Sequence, residues 1–224
     1  MRILALDTSG DACSAALLTE TGPRQRLILE PRRHADLILG LVEDLLRELD
    51  LGLKALDAIA FGRGPGSFTG VRIATAVAQG LAFGADLPVV PISTLAGLAQ
   101  GQYRRQGGHQ CLAALDARMG EVYWGCYRLD EGGLMRLAGE EVVTTPERIV
   151  LPPDGGWQGA GSGWERYSET LRLRLGTRLT FADPDALCES QDLATLAAAD
   201  LAAGHAVPPE QALPVYLRDQ VTHG

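Results

Sequence analysis

A glycine-rich loop, GRGPGSFTGVR at residues 62–72, is the first place in this sequence where residue types and spacing suggest chemistry. Glycine lets several backbone N–H groups approach one anion, and the start of a helix adds partial positive charge. A Walker A loop would also need a nearby lysine, but the only lysine is Lys54. The dinucleotide fingerprint fails because Ser67 stands where its third glycine belongs. The residues therefore favour a strand-to-helix elbow capped by Ser67 over a self-contained phosphate site.

Two carboxylates are the next candidates, because Asp7 and Asp116 each end the first strand of a predicted strand–strand–strand–helix unit. Paired carboxylates at such positions could coordinate Mg²⁺ around a nucleotide. Alternatively, each aspartate caps the turn that follows it, which is a common use of this side chain. The sequence favours the capping alternative.

Histidine and cysteine are not spaced as catalytic or metal-binding sets. The sequence contains His34, His109, His205 and His223, and Cys13, Cys111, Cys126 and Cys188. No two histidines form H-x-x-x-H or H-E-x-x-H, and no two cysteines form C-x-x-C. Because no export signal or membrane span is recognisable, we expect a soluble cytoplasmic protein with reduced thiols.

Composition and charge narrow the class of protein further. The 224 residues are 46% hydrophobic and 21% charged, which is an ordinary globular balance. The net charge of −8 repels nucleic-acid backbones, so tight, sequence-independent binding of DNA or RNA by this chain alone is not expected.

The predicted elements follow the same order twice along the chain, which indicates two lobes. Strands are predicted at 2–6, 12–19, 25–30, 55–62, 87–93, 111–117, 121–129 and 134–144, with helices at 34–50, 67–85, 94–106 and 190–204. The predicted division is 1–105 and 106–224, with the last helix and the tail able to pack back on the first lobe.

The outward sides of the two long helices of the first lobe carry fewer charged residues than a solvent-exposed helix surface normally does. Arg72 is the only charged residue between Ser67 and Ala85, and the apolar positions of helix 34–50 sweep about 200° of the helical wheel. Large apolar surfaces usually mark interfaces, so a partner protein is favoured over coverage by later helices of the same chain. The predicted docking face comprises Leu39, Val42, Leu46, Leu49, Phe68, Val71, Arg72, Thr75, Gln79 and Ala82.

Five segments of the chain closely resemble the TsaB family, also called YeaZ, the dimerisation subunit of the bacterial tRNA threonylcarbamoyladenosine machinery. They are ILALDTSGDACSAAL, GRGPGSFTGVRIA, LPVVPISTLAGLA, LDARMGEVYWGCY and LPVYLR. The resemblance implies the α/β fold shared by actin, sugar kinases and chaperone ATPases, with two RNase H-like lobes whose mixed sheets are flanked by helices.

The resemblance also implies that this subunit is not catalytic. TsaB is similar to the catalytic subunit TsaD, whose H-x-x-x-H metal pair falls here on Thr94 and Leu98, and neither side chain can replace imidazole. The implied function is to bind TsaD and the ATPase TsaE. The complex then transfers threonylcarbamoyl from its adenylate to N6 of the adenosine 3′ of the anticodon.

The resemblance further implies a homodimer when the chain is alone, and contact with tRNA only through the complex. No cofactor is expected on this subunit, whereas ATP and a metal are expected on the partner subunits. A nucleotide pocket at the subunit junction would be bordered by Asp7, Thr8, Gly64, Pro65, Gly66 and Ser67. The alternatives are a metallopeptidase or an ATP-dependent kinase of the same fold.

Overall fold

The computed structural model describes residues 1–218, which divide into two compact units. The first unit comprises Met1–Gly97 and Cys188–Val215. The second comprises Leu98–Leu187 and the described part of the segment that begins at Tyr216. Because Cys188–Val215 belongs to the first unit, the two units do not coincide with a single cut at residue 105.

The helices and strands of the first unit occur in the order that the sequence predicts. The strands are β1 (Ile3–Asp7), β2 (Cys13–Thr19), β3 (Gly22–Ile28), β4 (Ala58–Gly62), β5 (Val89–Ile92), β6 (Gln110–Arg118), β7 (Glu121–Leu129), β8 (Met135–Leu137), β9 (Val142–Thr144), β10 (Trp157–Ala160) and β11 (Leu179–Asp183). The α-helices are α1 (His34–Glu48), α2 (Phe68–Ala85), α3 (Thr94–Gln106), α4 (Gly163–Arg166), α5 (Ser168–Leu175) and α6 (Ser190–Ala202). Short 3-10 turns lie at Leu53–Ala55, Pro146–Arg148, Gly176–Arg178 and Pro209–Gln211.

Each unit is built on a mixed sheet, and the two sheets share one strand order. In the first, the order is β3-β2-β1-β4-β5, with β1 antiparallel to β2 and parallel to β4. In the second, it is β8-β7-β6-β10-β11, with β9 also pairing with β7, and β6 is antiparallel to β7 and parallel to β10. The repeated order predicted from the sequence is confirmed.

The central strand β1 explains why the first unit needs helices on both faces. All five of its residues are buried. Leu4 and Leu6 belong to the core cluster that also holds buried residues of α1 and α2. Because side chains alternate along a strand, Ile3 and Ala5 point to the opposite face, where α6 contacts β1.

The core of the second unit is built around three tryptophans, Trp124, Trp157 and Trp164, each at most 2% exposed. The ring centroids of Trp124 and Trp164 are 6.0 Å apart. The Trp164 indole N–H donates to the Leu112 carbonyl at 3.0 Å, which satisfies the polar atom of a buried ring.

Several elements of the second unit differ from the sequence-based prediction. The predicted strand at 134–144 is two strands, because Gly139 with φ of +109° interrupts it. The strand β10, the short helices α4 and α5 and the strand β11 were not predicted. The sequences of these elements show no clear hydrophobic period. Helix α5, for example, buries only Leu171 and Leu175. Within residues 1–218, no helix is long and apolar enough to span a bilayer.

Candidate functional site

The glycine loop lies directly against the turn that follows β1. The Ser67 amide donates to the Ser9 carbonyl at 2.7 Å, and the Thr8 hydroxyl donates to the Gly70 carbonyl at 2.6 Å. A Cβ added at Gly66 would lie 2.5 Å from the Ser9 carbonyl oxygen, and one at Gly70 would lie 1.9 Å from that of Thr8. Both glycines are therefore required by a contact between two backbone segments.

The first half of the loop is held by the chain's C-terminal segment and by α3. The Val215 amide donates to the Arg63 carbonyl at 2.8 Å, and the Thr94 amide donates to the Gly64 carbonyl at 3.0 Å. Gly64 has φ of +97°, a conformation that favours glycine. Pro65 is buried beside it. Contacts inside the first unit thus account for the glycines without a bound phosphate.

Ser67 caps α2, as the sequence predicts. Its hydroxyl accepts from the Gly70 amide at 3.4 Å. Ser67 is exposed and Gly66 half-buried, whereas the other predicted nucleotide-proximal residues, Asp7, Thr8, Gly64 and Pro65, are buried. The elbow alternative is confirmed, and a nucleotide at these residues stays a prediction.

Asp7 is a buried carboxyl whose hydrogen bonds are local. Its side chain accepts from the Ser9 amide at 3.0 Å, and both carboxyl oxygens lie 2.9 Å from the Ser9 hydroxyl. The Thr94 hydroxyl donates to the Ser9 hydroxyl at 3.2 Å. A Cβ at Gly62 would lie 1.9 Å from one Asp7 oxygen, so glycine there makes room for the carboxyl. Desolvation outweighs the Ser9 hydrogen bonds and raises the pKa of Asp7 to about 7.

Asp116 of the second unit caps its turn in the same way. It accepts from the Arg118 amide at 2.9 Å and from the Arg118 guanidinium at 3.1 Å. The Tyr167 hydroxyl also donates to it at 3.1 Å. Both aspartates therefore accept a backbone N–H two residues ahead, and the capping alternative is confirmed. Among residues 1–218, no three His, Cys, Asp or Glu side chains are grouped to hold a metal ion.

Thr94 and Leu98, the positions that the sequence resemblance assigns to the TsaD metal pair, are both buried. Thr94 is 1% exposed and its hydroxyl is committed to Ser9. Leu98 is fully buried and carries no donor atom. Neither side chain therefore offers a ligand that could take the place of an imidazole nitrogen.

The inner face of α2 consists of small residues, which corrects the predicted docking face. Val71, Thr75 and Ala82 are at most 6% exposed, and they continue the buried row of Ala74 and Ala78. The larger Ile73, Val77 and Leu81, expected to face the sheet, are only partly buried and pack at the edges of the core. Small side chains let the helix axis approach the sheet closely, so the small-residue face turned inward.

The predicted residues on α1 are also divided between core and surface. Val42 is 2% exposed and belongs to the core, which corrects its assignment to the docking face. Leu46 and Leu49 are half-buried and pack against the same cluster. Leu39 is 48% exposed, as a docking residue must be.

Apart from Thr69 and Arg72, the exposed residues of α2 are apolar, with an aromatic residue near each end of the helix. Phe68 and Phe83 are 59% and 80% exposed. The Arg72 guanidinium lies 3.6 Å from the centroid of the Phe68 ring. Gln79 donates to the Ala212 carbonyl at 3.0 Å, which ties the C-terminal segment to the helix.

Next to Phe83 is an open groove of about 540 Å³. It is lined by Ala76, Gln79, Gly80, Phe83, Pro209 and Glu210. Of these lining residues, the sequence-based docking face included only Gln79. The spacing of Ala76, Gly80 and Gly84 at every fourth residue, with Phe83 beside them, was the signal that could have located the groove. We call Leu39, Phe68, Arg72, Ala76, Gly80 and Phe83 the exposed helix face.

Comparison with known proteins identifies the family. Residues 29–203 match the family described as TsaD, tRNA N6-adenosine threonylcarbamoyltransferase. The tRNA threonylcarbamoyladenosine biosynthesis protein TsaB of Escherichia coli (strain K12) is 42% identical over 99% of this chain and 96% of its own. The chain belongs to the TsaB family. The structure of YeaZ from Pseudomonas aeruginosa, which is 52% identical, superposes with a TM-score of 0.91 over 96% of this chain and 99% of that one.

The predicted fold class is also confirmed. The structure of (R)-2-hydroxyglutaryl-CoA dehydratase component A from Acidaminococcus fermentans superposes with a TM-score of 0.50. At 10% identity, over 90% of this chain and 99% of that one, the likeness concerns the fold alone. The chain thus has the α/β architecture of the actin and sugar-kinase class, with two mixed sheets flanked by helices.

The buried carboxyl of Asp7 predicts a pH-dependent stability that Asp7→Asn should remove. Because the pKa is raised from 3.8 to about 7 on folding, the folded state holds this proton more tightly than the unfolded state. The stabilisation that this proton gives the folded state is complete below about pH 4 and is lost as the pH rises to about 7. As the pH rises from 4 to 8, wild type should therefore lose on the order of 3 kcal/mol of unfolding free energy relative to Asp7→Asn. Urea unfolding measures both, and a difference independent of pH would contradict the prediction.

Two glycines of α2 provide a matched test of the backbone contact. Gly70→Ala places a methyl group against the Thr8 carbonyl, so we expect a loss of about 2 kcal/mol or more of unfolding free energy. At Gly80 nothing lies within 4 Å of an added Cβ. Gly80→Ala should therefore gain about 0.5–1 kcal/mol from helix propensity. Equal effects of the two changes in thermal unfolding would show that the close approach is not what requires Gly70.

Proposed function

We propose that this chain is a non-catalytic scaffold subunit in the synthesis of threonylcarbamoyladenosine in tRNA. The TsaB family membership supports the process, and the side chains support the scaffold role. The sequence resemblance assigns Thr94 and Leu98 to the positions of the metal-binding histidines of the related catalytic subunit, and neither residue is a histidine. The loop and turn that could have bound a phosphate are packed against each other.

The observation that carries the proposal is the exposed helix face. Phe83 leaves four-fifths of its side chain in water, and Phe68 more than half. Arg72 is the only charged residue of α2. A solvated helix normally offers several charges on its outer side, and exposed apolar surface of this kind marks a protein interface.

The partner that this face suits is a TsaD-like catalytic subunit, with a TsaE-like ATPase joining the assembly. A partner helix can approach closely over Ala76 and Gly80, where the helix surface has little or no side chain. When the chain is alone, a second copy can cover the same apolar surface in an isologous dimer. Any contact with tRNA is then made through the complex, in the cytoplasm, and ATP and the metal are held by the partner subunits.

Single substitutions on the exposed helix face should abolish co-elution with the TsaD-like subunit. Leu39→Arg and Phe83→Arg each place a charge where the partner would bury it, and a loss of at least about tenfold in affinity is expected. Because both side chains already face water, the free energy of unfolding should change by no more than about 0.5 kcal/mol. Size-exclusion chromatography with light scattering measures assembly, and circular dichroism measures the fold.

Leu173→Arg is the matched control, because Leu173 is 84% exposed but lies on α5 in the second unit. It should leave co-elution unchanged. Undiminished assembly of the Leu39 and Phe83 variants would count against the docking face. ATP turnover or a stoichiometric bound metal in the isolated wild-type chain would instead favour the kinase or the metallopeptidase.

A further inference from the structure

The groove beside Phe83 lies between two elements of the first unit. Helix α2 forms one side, and the turn Pro209–Gln211 forms the other, through Pro209 and Glu210. Two of the α2 residues that line it, Ala76 and Gly80, have little or no side chain. The groove can therefore admit a side chain of a partner, and not only lie against a flat surface.

The turn that carries Glu210 is tied to the first unit on both sides. Before it, Val207 exchanges two backbone hydrogen bonds of 2.8 Å with Val89 of β5. After it, the Gln79 side-chain amide donates to the carbonyl of Ala212, which is fully buried. Because the backbone of this turn is already ordered, binding at its carboxylate requires little further loss of conformational entropy.

The polar groups of the groove favour a cation. The Glu210 carboxylate is the one charged group among the residues that line it, and it has no ion pair or hydrogen bond within residues 1–218. Gln79 adds an amide oxygen as an acceptor, since its NH₂ group donates to Ala212. The last turn of α2 has no basic residue, so the helix itself does not compensate the negative end of its dipole.

The basic residues near this surface lie outside the groove. Lys54 lies in a turn that contacts α2, and Arg72 lies on α2 itself, but neither is a lining residue. Arg72 stacks on Phe68, about three helical turns from the groove. His205, the basic residue nearest to Glu210 in the sequence, lies 3.9 Å from Asp200. The cation that the groove favours must therefore come from another molecule.

The aromatic wall of the groove favours arginine over lysine. A planar guanidinium can stack on the face of the Phe83 ring, which is 80% exposed, while its N–H groups bind a carboxylate. An ammonium group is more strongly hydrated and has no planar face to stack. The pairing of Arg72 with Phe68, at 3.6 Å, is an example of the same contact on the same helix.

We propose that the groove receives an arginine side chain of the TsaD-like subunit, which stacks on Phe83 and forms an ion pair with Glu210. The proposal rests on the scaffold function proposed above, and it names the chemistry that the partner brings to this surface. A second copy of this chain is a poorer occupant. The cation that its α2 would bring is Arg72, which is already engaged with Phe68.

The ion pair is tested with Glu210→Gln, which removes the charge and keeps the shape of the side chain. Affinity for the purified TsaD-like subunit should fall by about tenfold at low salt, and the difference from wild type should shrink as salt is added. Glu169→Gln, on the exposed surface of α5, removes the same charge and is the matched control. It should bind as wild type does. Titration calorimetry measures the affinities, and thermal unfolding checks the fold of each variant.

The shared contact is tested by combining Glu210→Gln with Phe83→Leu, which keeps an apolar side chain and removes the ring. If one guanidinium contacts both residues, the two losses are coupled. The double variant should then bind more tightly than the product of the two single losses predicts. Losses that simply multiply would show that Phe83 and Glu210 do not hold the same side chain.

The remaining outcomes separate this site from the scaffold function. Unchanged affinity of Glu210→Gln, beside a loss in Leu39→Arg, overturns the arginine site and leaves the scaffold function intact. A loss confined to self-association of the isolated chain, measured by sedimentation, assigns the groove to a second copy and also overturns the proposal. A wild-type chain that does not bind the TsaD-like subunit overturns the scaffold function and the arginine site together.

Discussion

The contact between the turn after β1 and the glycine loop is the constraint on which the first unit depends. Two backbone segments meet there with no side chain between them, and Gly66 and Gly70 are the residues that permit it. Because Gly70 lies in the first turn of α2, the contact fixes where the helix begins and how it is rotated. The small-residue row then faces the sheet, and Phe83 and the groove face outward.

The sequence predicts the fold well wherever the hydrophobic periodicity is strong or turn-forming residues mark the ends of an element. The strands around Asp7 and the elbow at Ser67 are correct, since an apolar run followed by turn residues has one simple interpretation. The short elements from β10 to β11 were missed, because α5 shows little periodicity and β11 is partly polar. A helix of two turns whose position depends on tertiary packing leaves no such pattern.

The docking face shows where a helical wheel fails. Assigning the largest apolar residues to the core is sound when the core has room for them, but α2 packs closely through Ala74, Ala78 and Ala82. Hydrophobicity alone ranks Val71 and Phe83 as similar candidates, although one is 2% exposed and the other 80%. To tell these two residues apart, one must know how closely α2 packs on the sheet. That distance is set by the backbone contact at Gly70, which the helical pattern does not show. The lack of charge on α2 was the more reliable signal, because it does not depend on the rotation.

The two capping aspartates show how one local device leads to different surfaces in the two units. Asp7 and Asp116 both accept a backbone N–H two residues ahead, at the end of the first strand of each sheet. Asp7 is enclosed with hydroxyl groups, and burial raises its pKa to about 7, so that it holds a proton far more readily than an exposed aspartate and the turn is part of a closed core. The Asp116 side chain is only 10% exposed, but it lies beside the more exposed Arg118 and Arg166, and these cations balance its charge. The turn after Asp116 therefore remains open, with Arg118 and Met119 exposed, whereas the glycine loop covers the turn after Asp7.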